Sequence, residues 1–188
     1  MKKENIKLKI IRESIKVLIF ASILSSLGGL GLESIKDKIF LILPIVVLLP
    51  ALNDMIGDLG IIIISKFTTA LYLKKFKRPF LKSHFVKHII NHILPIGAMS
   101  SIYIALLALL ISMFKGFQVN LLIFLKIIFI SMITTLTLIS FILIVAILGG
   151  FYIYHKKEDP DDVLIPITTS IADLGAMLML AFLVGILF

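Results

Sequence analysis

The sequence predicts an all-α integral membrane protein with five transmembrane helices, the N-terminus in the cytoplasm and the C-terminus outside. Three observations carry that prediction. The chain is 60% hydrophobic with a mean hydropathy of +1.13, whereas soluble domains are nearer half apolar. Its Ile- and Leu-rich runs are long enough to cross a hydrocarbon core of roughly 30 Å, and short charged caps separate them. Lys and Arg are divided unequally between alternate caps. One side has six up to Lys16, seven in residues 66–92 and two in 151–162, fifteen in all; the other has four, Lys36, Lys38, Lys115 and Lys126. The richer side is the cytoplasmic one.

A net charge of +8 would also suit a nucleic-acid partner. Basic caps beside apolar runs are better explained by topology and anionic headgroups, so the expected partners are the lipid bilayer and no nucleic acid. The absence of Cys excludes disulfides and thiolate metal sites. No repeat, linker or soluble segment divides the chain, so residues 1–188 are read as one multi-pass domain of the cell membrane.

The first span is expected at about residues 10–32, after nine polar residues. A charged start before an apolar run resembles a signal peptide, but the run is long and lacks a small-x-small cleavage site. Ser25, Ser26, Gly28, Gly29 and Gly31 make one flank small, which suits close helix packing. The second span, about 39–65, contains Pro50-Ala51-Leu52-Asn53-Asp54-Met55-Ile56-Gly57-Asp58-Leu59-Gly60. Asp54 and Asp58 share a helix face at i, i+4, while Pro44, Pro50, Gly57 and Gly60 allow irregular backbone of the kind that lines cavities. With Lys66 as the end of the span, Asp58 lies roughly 12 Å inside it.

Residues 66–92 are basic without an acid, and part of them is expected to lie at the headgroups as an amphipathic helix. His84, His88 and His92 recur every fourth residue, so a metal site is conceivable. The series lacks the Glu of a zinc-protease motif, and interfacial His in a basic segment is the plainer reading. The third span is placed at about 93–114. The fourth, about 121–150, carries Ser131, Thr134, Thr135, Thr137 and Ser140, which are read as helix-to-helix bonds before a wet path.

The fifth span, about 163–188, follows Asp159-Pro160-Asp161-Asp162, and Asp173 lies inside it. At about 1.5 Å per residue Asp173 is roughly 15 Å into the membrane. A carboxylate there costs about 3 kcal/mol and so faces a partner, a cavity or an ion. Spans two and five would bring Asp58 and Asp173 to similar depth from one face. Structural bonding between helices is the plain alternative for both.

These two stretches resemble the membrane domain of MgtE-type magnesium transporters, including their eukaryotic solute-carrier relatives. The resemblance rests on Asp159-Pro160-Asp161-Asp162, Pro166, Thr168-Thr169-Ser170 and Asp173-Leu174 in span five. In span two it rests on Pro50-Ala51-Leu52, Gly57-Asp58-Leu59 and Lys66. It implies divalent cation transport, with Mg²⁺ as cargo and not as a resident cofactor, along a path between two five-helix units, hence a homodimer. It makes Asp173 the prime ion ligand, with Asp58 lining the path. Asp54 and Asn53 join them by the helix-face argument, and Thr169 because it precedes Asp173 by one turn. Pro50, Gly57, Asp159, Asp162, Pro166 and Thr168 are the remaining motif positions. Asp58 stands where the family usually has Asn, and Asp162 replaces the Asn of D-P-D-N. With nine polar residues before the first span, the cytoplasmic regulatory domains of bacterial relatives are not expected.

The physics agrees, because Mg²⁺ takes oxygen ligands and sheds water reluctantly, whereas His or Cys cages suit softer metals. Two other readings remain open from sequence. One is a prenyltransferase-like enzyme holding Mg²⁺-diphosphate between Asn53-Asp54-Asp58 and Asp159-Asp162, although the N-D-x-x-x-D spacing is one residue too long. The other is a non-transporting scaffold subunit.

Overall fold

The computed structural model describes the backbone of residues 6–73 and 84–188, with the side chains of 15–73 and 85–188. Among the described residues there are six helices and no strand: α1 Ile6–Glu33, α2 Lys36–Leu41, α3 Leu43–Tyr72, α4 His84–Phe114, α5 Leu121–His155 and α6 Pro160–Leu187. All but α2 are long and apolar enough to cross a membrane.

The helices differ from the expected spans at their ends, for physical reasons. The second span is broken at Ile42 (φ −116°, ψ 79°) into the short α2 and the long α3, with Pro44 in the first turn of α3. A proline there costs no hydrogen bond. Lys66 does not end α3. Phe67, Ala70 and Leu71 are buried and carry the helix to Tyr72, with Lys66 on its exposed side. Likewise the chain is already helical at His84, ahead of the expected start of the third span, and Val86, Ile89 and Ile93 repeat the buried spacing. The basic stretch is therefore helical at both ends, and residues 74–83, where the headgroup helix was expected, lie outside the described residues. Gly149 and Gly150 do not end α5, because they serve close packing. A Cβ at Gly149 would lie 2.8 Å from Leu164 Cδ2, and one at Gly150 would lie 2.7 Å from Phe67 Cε1.

Helix α3 packs on α4, α5 and α6, α6 also packs on α5, and α1 packs principally on α6. Ile45, Leu48, Leu52, Ile56, Ile63 and Ile64 from α3 are fully buried, with Ile127, Ile130, Ile139 and Ile142 of α5. Lipid chains are as apolar as these side chains, so burial alone gives little drive, and close van der Waals fit must hold the helices together. The α1–α6 contact shows this: a Cβ at Gly28 would lie 2.7 Å from Met177 Sδ and 3.2 Å from Leu174 Cα. At the far end of α6, Lys38 donates to the carbonyl of Gly185 at 3.0 Å and Lys126 to that of Leu187. These are last-turn carbonyls at the negative end of the helix dipole, where a cation is favourable.

Candidate functional site

The start of α6 is built by its aspartates. Asp159 is the N-cap, and its Oδ1 accepts from the Asp161 backbone N–H at 3.1 Å. Pro160 occupies the first turn, and Asp161 and Asp162 follow at the positive end of the dipole. Asp159 therefore has a structural task, while Asp162 is exposed. Pro166 lies inside the helix and cannot bond the carbonyl of Asp162.

Just beyond Pro166, three hydroxyls turn back onto the helix. Thr168 Oγ1 donates to Leu164 O (2.8 Å) and Ile165 O (3.1 Å), and Thr169 Oγ1 to Ile165 O (3.1 Å) and Pro166 O (3.0 Å). Ser170 Oγ donates to Pro166 O at 2.8 Å. A hydroxyl whose proton is committed to backbone presents only lone pairs outward. Thr168 and Ser170 are buried and Thr169 is half-buried, so Thr169 is the hydroxyl oxygen available to a cation.

One turn further, Asp173 is half-buried, and its Oδ2 accepts from Ser25 Oγ of α1 at 3.1 Å. Ser25 is the site residue that sequence reading missed. By sequence it belongs to the small packing flank of α1, and nothing local reveals that this flank meets the acid-bearing helix 148 residues later.

On α3, Pro50, Asp54, Asp58 and Ile62 are all exposed, a row of every fourth residue that winds slowly round the helix. Asn53 is half-buried, and its buried Oδ1 has no hydrogen-bond partner. Gly57 turns toward α6, where a Cβ would lie 3.9 Å from Thr169 Cγ2; one at Gly60 would lie 3.8 Å from Thr168 Oγ1. Rising numbers on α3 thus meet falling numbers on α6, and the two helices run antiparallel.

This contact sets the depths. From it, Asp54 lies about 4.5 Å and Asp173 about 6 Å in the same direction, at about 1.5 Å per residue. Asp54 is therefore level with Asp173. Asp58 is nearly level with Thr169, about 7 to 8 Å from the level of Asp173. The expected match of Asp58 with Asp173 is corrected accordingly, because it counted depth from Lys66, which is not the end of α3. Asp162 is seven residues, about 10 Å, before Thr169, so the α6 cap and the α3 acids do not form one cluster.

No group of three or more His, Asp or Glu side chains is close enough to hold a metal among the described residues. Nor does a Lys, Arg or His pair with Asp54, Asp58 or Asp173 among them. The His88 and His92 rings lie 4.2 Å apart between centroids, and His92 Nδ1 is 2.7 Å from the His88 carbonyl. The side chain of His84 lies outside the described residues. The described residues thus present separate side-chain oxygens at two levels: Asp54 and Asp173 at one, Asp58 and Thr169 at the next.

The family MgtE, described as a divalent cation transporter, matches residues 49–183. That range holds the α3 row and Asp173 but not Ser25. No curated protein and no solved structure matches the chain.

Proposed function

The chain belongs to the MgtE family of divalent cation transporters, and from that premise we propose that it carries Mg²⁺ along a path between α3 and α6 of two copies. Divalent cation transport across a membrane is the family's activity, and the prenyltransferase reading falls with it. The observation that carries the finer reading is the row Pro50, Asp54, Asp58 and Ile62, which one copy leaves exposed on α3 and which spans the level of half-buried Asp173 on α6. Carboxylates facing hydrocarbon cost about 3 kcal/mol each on insertion scales. The row therefore meets water, an ion or protein, and a second copy related by a two-fold axis would supply the protein and wall off a path for the other two.

In this reading Asp173 is the main ion contact, held from one side by Ser25. Asp54 adds charge at the same level, and Asp58 and Thr169 supply oxygens one level nearer the start of α6. Spacing of this kind suits an ion that keeps most of its waters and touches carboxylates through them. The unpartnered oxygen of Asn53 is a further acceptor beside the path. Gly57 and Thr168 let the helices approach, Pro50 and Pro166 loosen their hydrogen bonding, and Asp159 and Asp162 mark the mouth at the start of α6.

The test is uptake of Mg²⁺ into proteoliposomes. Asp173→Ala should fold, since it removes a carboxylate from the bilayer, yet reduce uptake to the level of empty vesicles. Uptake by this variant at the parent rate would assign Asp173 to helix packing through Ser25 and end the ion-site reading.

A further inference from the structure

Away from the acidic row, α3 and α4 border an open cavity of about 370 Å³ that the ion path does not use. Its walls include Phe85 and Ile89, and its polar groups are Ser65, Lys66, Thr69 and His88. Thr69 gives its hydroxyl proton to the Ser65 carbonyl at 2.8 Å, so among the described residues the donors left for a ligand are the Lys66 ammonium, the Ser65 hydroxyl and the His88 ring. Lys66 is exposed and has no acidic partner among the described residues. An apolar wall with cationic and hydroxyl donors at one rim fits a molecule that is itself half apolar and half anionic.

The depth fits as well. Lys66 is six residues before the end of α3, about 9 Å inside it, where a bilayer changes from headgroup to hydrocarbon, and His88 of α4 lines the same cavity. We propose that this cavity is a binding site for an anionic phospholipid, its phosphate on Lys66, Ser65 and His88 and its acyl chain along Phe85 and Ile89. Basic pockets between membrane helices take anionic headgroups in this way. The site rests on membrane residence alone and is independent of the ion path.

The full chain, purified in mild detergent, is loaded with equal phosphatidylglycerol and phosphatidylcholine, and the retained lipid is read by native mass spectrometry. The parent should retain phosphatidylglycerol in preference, and inorganic phosphate should not displace it. Lys66→Gln should lower that retention about fivefold, the usual effect of one basic residue at a charged membrane surface, and His88→Ala should lower it further. Lys66→Arg should preserve it. Lys87→Gln, at an exposed position outside the cavity, should leave it unchanged. Equal loss with Lys87→Gln would reduce the effect to diffuse surface charge and overturn the site. Equal retention of phosphatidylcholine would make the cavity a nonselective apolar groove, and displacement by phosphate would make it a soluble-anion site. The lipid competition uses the parent protein, so the proposal stays testable even if a variant fails to fold.

Discussion

An aspartate on an outward helix face at membrane depth needs something other than hydrocarbon beside it, and Asp58 has no partner among the described residues. Under the proposed ion path, its level with Thr169, and not with Asp173, would give it a secondary share of the ion. A unit charge roughly 8 Å from a divalent ion is worth about 1 kcal/mol at the dielectric constant of water, or about fivefold in affinity. Asp58→Asn, which keeps the side chain's shape but removes its charge, should therefore retain transport while the half-saturating Mg²⁺ concentration rises about fivefold. A dose series in the uptake assay reads this directly, and complete loss of transport would promote Asp58 to a primary ligand. The carboxylates themselves were legible in the sequence, because charge inside an apolar run is conspicuous at the level of single residues. Ser25 was not, since a serine among small residues has the same local signature whether it packs or donates to a carboxylate.

Helix ends were read less well than helix interiors, and the reason is the same at each end. Lys66 and the Gly149-Gly150 pair break the apolar composition without breaking the helix, because a long cation can extend from an exposed position and a glycine can admit a neighbour. Contacts between helices are where element-scale predictions belong, and α1 on α6 is the clearest case. A Cβ at Gly28 meets the Leu174 backbone, which cannot swing aside, whereas one at Gly29 meets nothing within 4 Å. Gly28→Val should push α1 off α6 and cost about 1–3 kcal/mol, the usual range for overpacking. It should also part Ser25 from Asp173 and reduce uptake. Gly29→Val, its neighbour in sequence, should do neither. Thermal unfolding of both variants in one detergent separates the cases, and equal melting temperatures would mean that α1 does not depend on that contact.

At the scale of the whole molecule, an odd number of crossings puts the two termini on opposite sides of the membrane. The fifteen-to-four division of Lys and Arg predicts that a reporter after Phe188 is extracytoplasmic and a tag within residues 74–83 is cytoplasmic. Protease protection in sealed vesicles checks both, and a cytoplasmic C-terminal reporter would require a different number of spans. The proposed partnership between copies draws on the exposed α3 surface. Nothing hydrophobic draws two such bundles together in lipid, but the α3 acids are costly until another copy and an ion shield them. Two acidic rows facing each other across a two-fold axis repel unless a cation lies between them. The assembly should therefore tighten with Mg²⁺ and loosen with chelator. The chain has no Cys, so single replacements can be read without background. Ala51→Cys and Ile62→Cys, exposed to either side of the α3 acids, should join two copies through a short bifunctional thiol reagent, with a yield that falls when Mg²⁺ is removed. Met99→Cys, 73% exposed on α4, should not. Cross-linking at Met99 alone would move the contact between copies to α4, leaving the α3 acids without the second wall that a path between two copies requires.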